Sequence, residues 1–88
     1  MPRFFFHLWD TNAFVPDPDG SELPDTAAAR DEALANARGI IREGQRRGED
    51  RRNWLVEVRD ESDRTIITLP VSQAEPPGMA GAPTKSDR

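Results

Sequence analysis
The stretch from Asp25 to Gly48 constrains this chain more than any other. It is the one segment long and regular enough for a substantial helix, and aromatic and β-branched runs flank it on both sides. Pro24-Asp25-Thr26 is a start signal, because an Asp25 or Thr26 side chain can accept from the free N–H groups of a first turn. Ala27, Ala28 and Ala29 follow, the residue type that opposes a helix least. At helical spacing Ala29, Ala33, Ala37, Ile40, Ile41 and Gly44 fall on one stripe. Asp31, Arg38, Arg42, Gln45 and Arg46 fall opposite. Most of the stripe is small, so the helix should sit close to its neighbour, with the large side chains coming from the other layer. Glycine costs about 1 kcal/mol against alanine inside a helix, so Gly39 and Gly44 are expected to weaken its second half. Gly48 is the expected stop. Asp25, Asp31 and Glu32 come early and Arg46 and Arg47 late, as the helix dipole favours.

Aromatic and β-branched runs supply the second layer. Arg3 to Asp10 reads as a strand, with Phe4, Phe6 and Leu8 on one side and Phe5, His7 and Trp9 on the other. Rings on both sides predict a central position in the sheet. Ala13-Phe14-Val15 is a short return, and Pro16 and Pro18 after it predict an edge. Asp17-Pro18-Asp19-Gly20 is a turn signal. Asn53 to Arg59 and Arg64 to Val71 are two more strands around a polar turn, which reads as a hairpin. The expected fold class is α+β, in the order β-β-α-β-β: a small antiparallel sheet with one long helix packed on one face.

Eighty-eight residues make one domain, read as residues 1–71 followed by a disordered tail over 72–88, where Pro76, Pro77, Gly78, Gly81 and Pro83 dominate. With 32% charged and 35% hydrophobic residues the core must be thin. No cysteine is present, which removes disulfides and thiolate metal sites and fits a cytoplasmic protein. No stretch approaches the roughly 20 apolar residues of a membrane span. A net charge of −4 argues against general nucleic-acid binding.

The opening Met1-Pro2-Arg3-Phe4-Phe5-Phe6-His7, the centre Asp19-Gly20-Ser21-Glu22-Leu23-Pro24-Asp25, the helix Ala28-Ala29-Arg30-Asp31-Glu32-Ala33 and the strand Trp54-Leu55-Val56-Glu57-Val58 with Asp60 form a recognisable set. Together they resemble a family of small bacterial proteins of unknown function, with an M-P-R-[FY]-[FY]-F-H start and a D-x-x-G-x-E-L-x-D centre. The first aspartate of that centre corresponds to Asp17. The resemblance covers residues 1–71 and implies no activity, cofactor or catalytic residue. A second similarity, carried by Glu32-Ala33-Leu34-Ala35-Asn36-Ala37 after a glycine turn, is to antitoxin domains of the HicB type.

His7, the one histidine, lacks the companions of a zinc site. As a general base it would need an orienting partner, for which Glu57 is the candidate. The plainer expectation is a partly buried histidine with one hydrogen bond. Asp17, Asp19 and Glu22 do not have calcium-loop spacing and read as turn and helix-start charges. Arg38, Arg42 and Arg46, extended by Arg47, Arg51 and Arg52, form a ridge able to contact an anion, or else a solvated helix face.

With one helix for two sheet faces, Phe5, His7 and Trp9, joined by Leu55 and Ile66, are expected on an uncovered face, as a candidate interaction surface. Partial cover by the Phe14 segment or the tail is the alternative. The leading expectation is therefore a non-enzymatic interaction module without a cofactor, acting through a sheet face or edge as a homodimer or with a protein partner. The alternative is a nucleic-acid-associated regulator using the arginine ridge. An enzyme built on His7 ranks last, since no nucleophile, metal site or second acid/base group is visible.

Overall fold
The computed structural model describes residues 1–74. The chain forms β1 (Arg3–Trp9), β2 (Phe14–Val15), β3 (Ser21–Glu22), α1 (Thr26–Arg47), β4 (Leu55–Arg59) and β5 (Thr65–Pro70), and ends in a 3-10 turn over Val71–Ala74. All strand pairs are antiparallel, in the order β2-β1-β4-β5, and β3 pairs with β1 as well. The α+β architecture expected from the sequence is thus present, with one more strand than expected. The extra strand is β3, only two residues long, and such a length leaves no periodic signal.

α1 begins and ends where its capping residues place it. Asp25 is the N-cap, its Oδ1 accepting the Ala28 N–H at 2.8 Å. Gly48 closes the helix at φ 72°, donating to Gln45 O, while Glu49 N–H reaches Gly44 O at 2.7 Å. The buried stripe is Ala29, Ala33, Ala37, Ile41 and Gly44. Its small residues lie over Val56, Val58 and Leu69 of the sheet, with Phe4 completing the layer. Gly44 is needed for close packing rather than being a weakness, since a Cβ there would lie 2.9 Å from the Arg51 side chain and from Glu49 O. Gly39 is different: a Cβ there would meet nothing within 4 Å.

The helix covers the side of β1 that carries no polar residue. Phe4 is buried, and Phe6 and Leu8 are half-buried. The register confirms one shared face, with Phe6 opposite Val58, Leu8 opposite Val56, and these opposite Ile67 and Leu69. Val71 leaves the last strand instead of ending it. Val71 and Ala74, three apart in a 3-10 turn, point the same way and are both buried against α1. The packed part of the chain therefore extends three residues past the expected boundary at 71. The rest of the expected tail, 75–88, lies outside the described residues.

Both edges of the sheet are blunt. On β5, Val58 pairs with Ile67 and Arg59 with Thr65, so Ile66 is an unpaired bulge residue, and Pro70 offers no N–H. On the other side β2 and β3 are two residues each, separated by Pro16 and Pro18.

Candidate functional site
Strand alternation puts Phe5, His7 and Trp9 on the face that α1 leaves open, as expected from the sequence. Among the described residues no helix or strand lies across it. Phe14 of β2 joins them. Its ring is 4.6 Å from that of Trp9 and 5.1 Å from that of His7, and Phe5 stacks on His7 at 6.4 Å and 11°. The rings form one row along β1. Trp9 is 40% exposed, whereas His7 is 8% exposed beneath its neighbours. His7 is thus a buried member of the row. The Phe14 segment gives the partial cover weighed as the alternative.

A carboxylate sits at the centre of this face. Glu57 stands directly opposite His7 in the register and is 8% exposed. Its Oε1 accepts the Trp9 indole N–H at 2.7 Å, and its Oε2 accepts Arg59 Nε at 2.9 Å and the Thr65 hydroxyl. Arg59 also reaches Asp63 at 3.2 Å and lies over the Phe14 ring at 5.5 Å. The Arg59 guanidinium first, then the Thr65 and Trp9 donors, outweigh burial and hold the Glu57 carboxyl down to about 2. The His7–Glu57 pair considered from the sequence does not form, because every bond made by this carboxylate goes to Trp9, Arg59 or Thr65. Glu57 and Arg59 are two apart on a strand and so share a face, which is the one signal the sequence offered.

His7 bonds instead to the segment between β2 and β3. Its Nδ1 accepts the Asp17 N–H at 3.0 Å. Asp17 returns a bond to the same strand, its Oδ2 accepting the Phe6 N–H at 3.1 Å. Asp17 Oδ1 accepts from Gly20 N–H at 3.2 Å and Asp19 N–H at 3.3 Å, which closes the turn. Burial opposes the Asp17 charge, but the Phe6, Gly20 and Asp19 amides prevail and keep its carboxyl below the usual range. Gly20 has φ +68°, and a Cβ there would lie 2.9 Å from Phe4 O. Arg3 donates to Asp19 O at 2.7 Å and to Glu22 Oε2 at 3.1 Å. Arg3, His7, Asp17, Gly20 and Glu22, separate in the sequence, therefore meet as one clasp along the edge of β1. The turn reading of Asp17 and Asp19 agrees with this geometry, whereas Glu22, expected as a helix-start charge, lies in β3 and pairs with Arg3.

Arg38, Arg42 and Arg46 are exposed on α1. Arg46 and Arg47 both bond Glu43, Arg51 bonds Glu49, and Arg52 bonds Asp50 at 2.9 Å. Arg51 also lies over the Trp54 ring at 4.6 Å. The C-terminal part of the ridge is interleaved with carboxylates that offset its charge. Among the described residues no group of three His, Cys, Asp or Glu is placed to hold a metal, and no helix is long and apolar enough to cross a membrane.

These features define a small α+β domain with one helix on one sheet face, a row of rings around an ion pair on the other, and a hydrogen-bonded clasp at one edge. The chain belongs to the family described as a domain of unknown function, DUF6894, whose sequence model matches residues 3–72. No curated protein and no solved structure matches it.

Proposed function
We propose that this domain is a non-enzymatic interaction module of the bacterial cytoplasm, working through its open sheet face as a homodimer. The observation that carries the reading is the ring row of Phe5, Phe14 and Trp9, on a face that no other described element covers. Trp9 at 40% exposure and Ile66 at 37% are among the largest apolar groups left in water. The face is favoured over an edge, because a bulge with Pro70 blunts β5 and two proline-separated fragments blunt the other side. The nucleic-acid reading has less support, since Arg46, Arg47, Arg51 and Arg52 lie beside carboxylates.

Light scattering over a concentration series tests this. The expected mass at high concentration is twice the 9.9 kDa protomer. Thr68 lies opposite Glu57 on the same face and is exposed, so Thr68→Lys places a charge there without removing any bond described above. It should leave the fold intact and shift the mass to that of the protomer. A wild-type mass of one protomer throughout, or a Thr68→Lys variant that still dimerises, would overturn the homodimer.

A further inference from the structure
The hydrogen bond made by His7 determines where another proton must go. Its Nδ1 accepts from Asp17 N–H, so that nitrogen is unprotonated and the neutral ring carries its proton on Nε2. The only lone pair left for a second proton is the one holding the clasp. We propose that His7 is a pH-operated latch for the Pro16–Gly20 segment. Protonation at Nδ1 turns the acceptor into a donor that faces a donor amide, and the segment lets go of the edge of β1.

The charged groups facing the ring fix what moves. Asp17 faces it from the segment, and Glu57 from β4 directly opposite. Arg59, also from β4, lies beyond them against Glu57 and over Phe14. Phe5, Phe14 and Trp9 bring no charge. Glu57 is fixed by Trp9, Arg59 and Thr65, so Asp17 is the group free to respond. A carboxylate drawn toward a protonated Nδ1 moves away from Phe6 N–H or the turn amides. Phe6 lies in the gap where neither β2 nor β3 pairs with β1, and the Asp17 carboxylate stands in for the missing strand there. Release bares an N–H on the edge of a central strand, the kind of group that receives an added strand. The latch holds whether or not the open face forms a dimer.

An NMR titration tests it on the full chain. The His7 ring resonances report its protonation, amide exchange at Asp17, Phe6 and Gly20 reports the clasp, and Val58 on β4 reports the whole fold. The Asp17 protection factor should fall about tenfold in step with His7 protonation, the loss of roughly one hydrogen bond, while Val58 stays protected. His7→Asn puts an amide oxygen, an acceptor that does not titrate, close to the place of Nδ1, and should abolish the step. Asp17 protection that is unchanged through the His7 titration, an equal step in His7→Asn, or a parallel loss at Val58 would each overturn the latch. Should His7→Asn fail to fold, the wild-type comparison of Asp17 with Val58 decides alone.

Discussion
Two acidic residues do most to organise the sheet, and they do so differently. Glu57 is ionised because three side chains from three strands donate to it. A carboxyl depressed to about 2 stabilises the fold above the ordinary range near 4.5 and loses that contribution as pH falls toward 2. After allowance for solvent screening this is worth about 2 kcal/mol. Glu57→Gln should lower stability by about that much at neutral pH and flatten the acid limb of a denaturation profile measured between pH 5 and 2. Asp17 acts on backbone instead, and uses both oxygens. Asp17→Ala should cost about 1–2 kcal/mol in urea unfolding, and Asp17→Asn about half of that, since its single amide oxygen serves one side of the clasp. Gly20→Ala should cost about 2 kcal/mol, from a left-handed φ and a Cβ pressed on Phe4 O.

At the scale of elements, α1 shows how two glycines in one helix have opposite meanings. Gly44 packs where a Cβ cannot fit beside Arg51 and Glu49, whereas Gly39 faces open space. Gly39→Ala is therefore expected to raise stability by about 0.5–1 kcal/mol, read as a higher thermal midpoint. The helix stripe works because alanines bring the axis close to Val56, Val58 and Leu69, which fill the layer from below. The same alternation that buries Phe4 sends Phe5, His7 and Trp9 outward, so the hydrophobicity of β1 is shared between a core and an open face. The β4–β5 hairpin contributes the far edge, and its bulge at Ile66 is the feature that keeps that edge from templating another strand.

At the scale of the whole molecule, a thin core of one helix and one sheet leaves half of the sheet surface without an apolar cover among the described residues, and the Glu57–Arg59 pair partly fills the place of a second layer. The strands Arg3–Trp9 and Leu55–Arg59, the helix with both caps, and the placing of Phe4, Phe6 and Leu8 against it were legible in the sequence. Each is written in a local period of two or 3.6 residues, or in a capping residue beside it. So were Asp17 and Gly20 as turn residues, because turn chemistry is local. What tertiary structure alone decided is which distant groups meet. His7 had Glu57 as its candidate partner and found the Asp17 amide, while Glu57 found Trp9, Arg59 and Thr65. β3 forms only because Arg3 and Phe4 lie within reach of Ser21 and Glu22. Val71 and Ala74 are buried only because the chain turns back onto α1 after Pro70. Periodicity says which way a side chain points, but hydrogen bonds select partners by distance. Those distances are set by register between strands far apart in the chain, which no local pattern encodes.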